Sequence, residues 1–378
     1  MTRQGGNYAR SLAGRTKWVV LVLVLVIAVV IGAVLATRQH AGLTIRYGIT
    51  PYQDTALPVV AQSMDWYSAE GLKVEFVPLA WGDLMLALAS GSVDVSIYTI
   101  NAFQPAYAST ASSGTKPVFY CPLYVFKGTA IMVHENSGIK PLHLQPGESP
   151  AERSQQVAEA AAQLRGKRIA VTQGTEFEQI VLTALSLAGL NSRKDVTLIH
   201  ASPDDALAAF LSGNIDAFGA GLTERIEARR HGGTELITAA DIGQPSIDGI
   251  VTTERFAHDH APELDKLIRI WYRTIGFMES DLTGNSRYVL NYLTGKASTR
   301  YTPEQYSIAW TFNVYPKDAS GAYELFENPT SAYYWKTAWK QTNDFLIGQH
   351  KISLPVAESN YWGGAVLTRL KQNPAGGK

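Results

Sequence analysis

Residues 74–94 read VEFVPLAWGDLMLALASGSVD, and residues 196–216 read VTLIHASPDDALAAFLSGNID. Each segment has an apolar run typical of a strand, a short loop, an amphipathic run typical of a helix, a Ser-Gly stop and a final Val-Asp or Ile-Asp pair. The match holds at a constant offset of 122 residues, so that Asp94 corresponds to Asp216. A solenoid repeat is shorter, at about 20–50 residues. The duplication therefore predicts two similar α/β lobes that face each other across a cleft.

The sequence before each copy also matches and extends the prediction. A strand is followed by a helix that ends at Gly71 in the first copy and at Gly189 in the second. Because strands alternate with helices, we expect two Rossmann-like lobes with mainly parallel sheets around the cleft. Apolar residues then recur at helical spacing from Leu264 to Ile275, which predicts a helical C-terminal part.

The chain of 378 residues is long enough for two domains of about 100–200 residues each. The patterns predict a basic cytoplasmic head at 1–17, a membrane anchor or signal core at 18–36, lobe 1 at 43–138, a crossing loop and helix at 139–165, lobe 2 at 166–249, and a return strand with a helical C-terminal part packing on lobe 1 at 250–372.

Composition excludes several classes of function. The 33 basic and 33 acidic residues cancel without forming a basic face, which argues against a nucleic-acid partner. The single cysteine, Cys121, permits no internal disulfide and no multi-cysteine metal site, and we expect it to be a small buried strand residue. The close pair His258 and His260 falls in a predicted exposed loop, so we expect neither a metal nor a cofactor. No phosphate-binding glycine loop, dinucleotide fingerprint or nucleophile turn is present.

The head of the chain predicts the compartment. The run from Trp18 to Ala36 is apolar and uncharged. Its length is close to that of a segment that spans a bilayer, about 20 residues, and exceeds that of a signal-peptide core, about 7–15 residues. The basic residues before it, ending at Lys17, would stay in the cytoplasm. We therefore predict a protein held on the outer face of the cytoplasmic membrane through residues 18–36. Cleavage near Ala36, which would give a periplasmic or secreted protein, is the alternative.

Ligands of open α/β sheets lie beyond the carboxyl ends of the strands, where helix N-termini present free backbone N–H groups. This rule selects six segments: Thr50–Asp54, Ala80–Asp83, Thr99–Asn101, Gln173–Glu176, Ser202–Asp205 and Gly221–Glu224. Gln173, Gly174 and Thr175 have the composition to cradle a polar group. A plain helix N-cap at Thr175, with Glu176 in the first turn, is the alternative interpretation.

Aromatic and acidic side chains near the predicted strand ends are further candidates. Tyr52 and Trp81 would provide apolar walls, unless their role is structural packing. Glu224 and Asp248 would meet an amine or a ring N–H of a ligand, unless they are solvated loop acids. These interpretations stay open at the level of sequence.

Four segments together resemble a known protein family. They are Gly71-Leu72-x-Val74-x-Phe76, the helix exit Ala87–Asp94, the strand Leu164–Val171 and the helix exit Ala208–Ala217. Their order and spacing are similar to those of the nitrate, sulfonate and taurine solute-binding proteins of ABC importers, a group that extends to thiamine-pyrimidine binding proteins. The resemblance covers residues 43–277.

The resemblance implies a type II periplasmic-binding-protein fold that closes on a small solute. It also implies a monomer that works with an ABC permease and its ATPase and is not itself an enzyme. By the family pattern the site draws on Tyr52 to Asp54, on Thr99 and Asn101, on Gln173–Thr175 and on the segment near Glu224. Trp81 and Asp248 complete the expected site.

This sequence departs from the family pattern in two respects. Relatives usually have a cleaved signal or a lipoprotein cysteine, whereas residues 18–36 resemble a retained anchor. Relatives that select a bare oxyanion keep acids out of the site, yet Asp54, Glu176, Glu224 and Asp248 lie near the predicted cleft. Among sulfonate, taurine, nitrate and pyrimidine ligands, this favours one with an amine or a ring nitrogen. A membrane-tethered ligand sensor and a pyrimidine-synthase-like enzyme are the competing functions.

Overall fold

The computed structural model describes residues 43–110, 114–142, 150–244, 246–296 and 301–373. Residues 45–378 belong to one compact unit. The predicted basic head at 1–17 and the predicted anchor at 18–36 lie outside the described residues. Within the described ranges, no helix is both long enough and apolar enough to cross a bilayer.

Strands and helices alternate through most of the chain. The first part contains β1 Thr44–Ile49, α1 Pro58–Ser63, α2 Trp66–Ala69, β2 Lys73–Pro78, α3 Leu84–Ala89, β3 Val95–Thr99, α4 Ile100–Thr110 and β4 Pro117–Phe126. The second part contains β5 Ala130–His134, α5 Pro150–Ala162, β6 Arg168–Val171, α6 Glu176–Leu187, β7 Thr197–His200, α7 Pro203–Leu211, β8 Ala217–Ala220, α8 Leu222–Arg230 and β9 Gly233–Thr238. The last part contains β10 Ser246–Thr253, α9 Glu254–Asp259, α10 Ala261–Ser280, α11 Leu282–Leu293, α12 Pro303–Trp310, β11 Asn313–Val314, α13 Ala319–Phe326, α14 Trp335–Gly348 and α15 Gly363–Gln372.

Two mixed sheets form the two lobes. The sheet of lobe 1 has the order β11-β4-β10-β3-β1-β2, and the sheet of lobe 2 has the order β7-β6-β8-β5-β9. Strands β1 and β3 are parallel, as are β6, β7 and β8. However, β10 runs antiparallel to β3 and β4, and β5 runs antiparallel to β8 and β9. The prediction of two α/β lobes is confirmed, but the sheets are mixed rather than mainly parallel because each receives a strand from a crossing segment.

The chain crosses between the lobes at two places that differ from the predicted boundaries. Strand β4 belongs to the sheet of lobe 1, and β5, which begins only four residues after Phe126, belongs to the sheet of lobe 2. The two strands, although neighbours in the sequence, therefore do not pair with each other, and the first crossing precedes the predicted one at 139–165. Helix α5 in that predicted crossing packs instead on α6 and β9 of lobe 2. The second crossing lies between Thr238 and Ser246, since β10 returns to lobe 1.

The internal duplication is visible in matching ion pairs. Asp94 accepts hydrogen bonds from the backbone N–H of Arg46 at 2.8 Å and from its Nε at 3.0 Å. Asp216 accepts the same two bonds from Arg168, at 2.7 and 3.3 Å. Each arginine also reaches the carbonyl of the glycine in its Ser-Gly stop, Gly91 or Gly213. The two copies in the sequence are therefore two copies of one structural unit.

The C-terminal helices pack mainly on lobe 1. Helix α14 contacts α4, and α15 contacts β4. In α10 the predicted apolar stripe is buried from Leu264 to Ile275, and the helix contacts α1. Lobe 1 and the C-terminal helices thus form one half of the molecule, against which lobe 2 stands.

Candidate functional site

A cavity of about 470 Å³ lies between the two lobes. Eight of the ten predicted site residues line it: Tyr52, Asp54, Trp81, Gln173, Gly174, Thr175, Glu224 and Asp248. Each lobe contributes the loops that follow its strands, as expected for ligand sites in such sheets. The volume lies within the about 300–1,000 Å³ that is usual for small-molecule sites.

The Gln173–Thr175 loop begins helix α6 and faces the cavity. Gly174 has φ +75°, a conformation that residues with a Cβ rarely adopt, so glycine is required at this turn. Thr175 is the N-cap: its hydroxyl accepts from the N–H of Phe177 at 3.2 Å and donates to the carbonyl of Thr172 at 2.7 Å. The loop therefore does both things that its sequence allowed: it caps helix α6, and it lines the cleft.

Two of the three backbone donors of this loop, those of Gly174 and Thr175, are nevertheless already in use. The Gly174 N–H donates to Glu178 Oε2 at 2.9 Å, and the Thr175 N–H donates to the carbonyl of Thr172 at 3.3 Å. The helix N-terminus also carries Glu176, an acid that complements the positive end of the dipole. The loop therefore differs from an open anion cradle, because its own groups satisfy the donors.

Three aromatic rings form one wall of the cavity. Trp81 stacks on Tyr98, with ring centroids 4.7 Å apart and planes inclined by 29°. Tyr52 meets Trp81 edge to face at 6.1 Å. Tyr52 and Trp81 thus pack on each other and also line the cavity, so the packing role and the wall role coexist.

Two aspartates of lobe 1 are buried at the cavity. Asp248 is 3% exposed, and its Oδ2 has no hydrogen-bond partner. Burial, with the charges of Asp54 and Glu176 as further causes, raises the pKa of Asp248 well above its usual range, and the nearby hydroxyl of Tyr124, itself without a hydrogen-bond partner, opposes the rise. Burial likewise raises the pKa of Asp54, although the Thr55 N–H, at 2.9 Å from its Oδ1, opposes the rise. Asp54 and Asp248 are therefore buried and are not solvated loop acids.

Two glutamates of lobe 2 face these aspartates. Burial raises the pKa of Glu176 to about 7; its own backbone N–H opposes the rise, and the charges of Asp54 and Glu224 add to it. Burial also raises the pKa of Glu224 to about 7, with the charge of Asp204 as a further cause. A Cβ at Gly221 would lie 2.8 Å from Glu224 Oε2, so glycine leaves the space that this carboxyl occupies.

Thr99 and Asn101, also predicted for the site, lie beside the cavity rather than on its lining. Helix α4 begins directly after β3, so Thr99 caps it by accepting from the N–H of Ala102 at 3.2 Å. Asn101, in the first turn, donates to Gln179 Oε1 of lobe 2 at 2.8 Å. Its side chain is committed to a contact between the lobes.

Two further groups of polar contacts connect lobe 2 to the other half of the molecule. Glu178 pairs with Lys351, which lies between α14 and α15, and its Oε1 is 3.5 Å from His200 Nε2. The hydroxyl of Thr223 contacts the hydroxyl of Tyr301 and lies 3.4 Å from Gln53 Oε1. The lobes are therefore in contact around the cavity.

Several lining residues were not among those predicted from the sequence. They include Thr55, Tyr98, Phe126, Phe177 and Thr223. Thr223 falls inside one of the six segments selected at strand ends, as do the lining residues Gln53 and Glu176, which the sequence had already placed in or near the cleft. Phe126 and Phe177 carry no such signal, because an apolar residue at a strand end or in a helix reads as core.

Among the residues that the structure describes, no group of three or more His, Cys, Asp or Glu side chains is arranged to hold a metal ion. The four carboxyls of the cavity thus do not converge on one point. Cys121 is fully buried in β4.

Comparison with known proteins gives the family. The sequence profile of the NMT1-like family matches residues 40–293. The putative aliphatic sulfonates-binding protein of Bacillus subtilis is 26% identical over 275 residues, which cover 70% of this chain and 74% of that protein. The nitrate import ATP-binding protein NrtC of Synechococcus elongatus is 28% identical over 215 residues, which cover 56% of this chain but only 30% of that protein.

Solved structures confirm the fold. The periplasmic aliphatic sulphonate binding protein SsuA of Escherichia coli superposes with a TM-score of 0.63 at 19% identity, covering 84% of this chain and 91% of that one. The resemblance noted from the four sequence segments is thus confirmed, as is the two-lobed periplasmic-binding-protein fold. Since the profile covers well over half of the sequence, the chain belongs to the NMT1-like family.

Proposed function

We propose that this protein is the extracytoplasmic solute-binding component of an ABC importer, which captures a small polar solute between its lobes and delivers it to a membrane permease. The observation that carries the proposal is the cavity lined by strand-exit loops from both lobes. The family, and relatives whose names describe binding proteins, support it and argue against an enzyme. The chain spans about a third of NrtC, so the permease and ATPase partners belong to the proposal.

The cavity supports a closing mechanism. A solute in contact with both lobes stabilises the closed arrangement, because a ligand shifts an equilibrium only through better contacts with one state. Trp81 and Tyr52 would hold the solute from lobe 1, and Thr175 and Glu224 would hold it from lobe 2. Thr99 and Asn101 would act indirectly, through the start of α4 and the contact with Gln179.

The proposed location follows from the sequence head. Residues 18–36 would keep the protein, as a monomer, on the outer face of the membrane. Fractionation followed by N-terminal sequencing tests this. A soluble mature protein that begins at Thr37 would show that the segment is a cleaved signal and would leave the binding role intact.

Lobe closure is the decisive test of the binding role. Spin labels on Ala69→Cys in lobe 1 and Arg193→Cys in lobe 2 report the distance between the lobes in the full-length chain. The native Cys121 is buried and does not interfere. A panel of nitrate, taurine, alkanesulfonates, amino acids, pyrimidines and amines is first screened by thermal shift, since binding to the folded state raises Tm. We expect a compound that raises Tm to shorten the mean distance between the labels or to narrow its distribution. If no compound of the panel raises Tm, the proposal is overturned.

A further inference from the structure

The charges that face the cavity all have one sign among the described lining residues. Asp54, Glu176, Glu224 and Asp248 line it, and none of the described lining residues is a lysine, an arginine or a histidine. The neighbouring Arg225 is directed elsewhere: it donates to the carbonyl of Gly128 at 2.7 Å and pairs with Glu235. A cavity lined by one sign of charge concentrates ligands of the opposite sign.

The helix N-termini do not offset this charge. An anion-binding protein presents free N–H groups at such positions. Here the N–H groups of Thr55, Gly174 and Phe177 donate to side chains of the protein itself. At the start of α8, which has no side-chain N-cap, the backbone N–H groups of Gly221 and Glu224 act on the carboxyl of Glu224. An anionic ligand would therefore meet a carboxyl beside the donors at the starts of both α6 and α8.

Two carboxyl oxygens still lack a partner. Asp248 Oδ2 and Glu176 Oε2 are buried and accept no hydrogen bond, and Asp248 is more than nine-tenths buried. A buried polar atom without a partner costs about 1–3 kcal/mol, and more when it is charged. A ligand that donates N–H groups would remove this cost on binding.

The remaining surfaces narrow the class of ligand. Because the carboxyls are not arranged around one point, a bare metal ion does not fit. The stacked pair Trp81 and Tyr98, with Tyr52 beside it, offers ring surfaces on which a cation is attracted by the π-system. The cavity also has room for an organic body in addition to a charged group.

We propose that the solute is an organic cation, a protonated amine or amidinium on a compact apolar or planar body, whose nitrogen donates to Asp248 and Glu176 while its body lies against Trp81. This inference rests on the proposed solute-binding function and specifies its ligand. It separates the protein from relatives whose names specify sulfonates or nitrate, since each carboxyl that is ionised would repel a sulfonate.

The test uses probes that share one ring and differ in charge: benzylamine and benzamidine as cations, benzoate and benzenesulfonate as anions. Isothermal titration of the full-length chain at pH 8 should give a Kd at least about tenfold lower for a cation than for either anion. Affinity for the cation should rise between pH 6 and pH 8, as Glu176 and Glu224 ionise. Affinity for an anion would fall over the same range.

Variants place the interaction within the cavity. Asp248→Asn and Glu176→Gln should each weaken cation binding at least about tenfold, whereas Glu227→Gln, which removes a pair with Arg230 on α8, should leave it within about twofold. If only anions bind, or if both carboxyl variants bind the cation as wild type does, the cation assignment is overturned and the solute-binding role stands. If no probe and no member of the wider panel binds, both proposals fall.

Discussion

The buried acids of the cavity are single residues whose position costs stability and fits the proposed binding role. Asp54, Glu176 and Glu224 stand at or near helix starts, where their carboxyls meet backbone N–H groups of their own loops. Asp248 lies on β10, opposite Thr99 in the register of the sheet, and has no such donor for its Oδ2. Titratable groups that burial and like charges perturb are concentrated at functional sites. The four carboxyls fit that pattern, and their cost to the ligand-free protein can be measured.

Asp248→Asn is expected to stabilise the ligand-free protein at pH 7. Folding now requires this carboxyl either to take up a proton or to remain charged while buried, and an amide avoids both costs. A gain of roughly 1 kcal/mol would raise Tm by about 1–2 °C in a chain of this size. Calorimetry checks this against Asp259→Asn, an exposed acid that pairs with Arg255, which should change Tm little. A lower Tm in Asp248→Asn would mean that this carboxyl has an unrecognised stabilising contact.

Stability should also fall as pH rises through the range in which Glu176 and Glu224 titrate. Their folded-state pKa of about 7 exceeds the ordinary 4.5, so the folded protein holds protons that the unfolded chain has lost. The free energy of unfolding therefore decreases between about pH 4.5 and pH 7. The groups that act on them include Asp54, Asp204 and the backbone N–H groups of their loops.

The measurement is Tm from pH 5 to pH 8 for wild type and for the double variant Glu176→Gln, Glu224→Gln. The difference between the two proteins isolates these carboxyls from all other titrating groups. We expect the difference in Tm between the double variant and wild type to be at least about 2 °C larger at pH 8 than at pH 5. Parallel curves would contradict the assignment.

At the scale of elements, the duplicated units repeat the same local solution. In each lobe an arginine at the start of a strand ties down the Ser-Gly stop and the Val-Asp or Ile-Asp pair that begins the next strand. The tie in lobe 1 is tighter, since the Asp94 side chain is 11% exposed and that of Asp216 is 32% exposed. The same motif should therefore contribute unequally to stability in the two lobes.

We expect Asp94→Asn to lower the free energy of unfolding by about 1–2 kcal/mol and Asp216→Asn by less than about 1 kcal/mol. A charge-assisted hydrogen bond contributes less to stability when water competes for its groups. Removal of the charge from the more exposed aspartate, Asp216, should therefore cost less. Chemical denaturation of both variants tests this ranking. Equal losses would show that exposure does not control the strength of this motif.

The elements were largely predictable from the sequence, and their pairing was not. Strand and helix periodicity predicted both copies, and the six segments selected at strand ends supplied seven of the eight predicted residues that line the cavity. Periodicity carries no information about partners, so it does not show that the neighbouring strands β4 and β5 belong to different sheets. Asn101 was likewise placed in the site because the sequence does not show that α4 starts without an intervening loop. The donors of Gln173–Thr175 read as free because Glu178, one helical turn later, gave no sign that it would accept from Gly174.

At the scale of the whole molecule, polar bridges hold lobe 2 against the rest of the chain. Glu178 is central among them. It accepts from Gly174 in the cavity loop and pairs with Lys351 of the C-terminal part. One carboxylate thus connects the loop that faces the solute with the contact that joins the two halves. Any change in that contact should therefore alter both the position of the lobes and the affinity for solute.

Lys351→Met should favour the open arrangement. The side chains of this pair are 27% and 6% exposed, so the interaction is partly shielded from water and contributes more than a surface ion pair would. Loss of this ion pair should lengthen the mean distance between labels at Ala69→Cys and Arg193→Cys, or broaden its distribution. It should also raise the Kd for the solute about five- to tenfold. Lys340→Met, which removes an exposed pair with Asp344 on α14, is the matched control and should change neither quantity.

Glu178 still accepts from the Gly174 N–H in Lys351→Met, so the loop itself should retain its shape and a bound solute should still close the lobes. If the label distance stays at its wild-type value while affinity falls, Lys351 acts on the site locally and the lobes are held together by the Asn101 and Thr223 contacts instead.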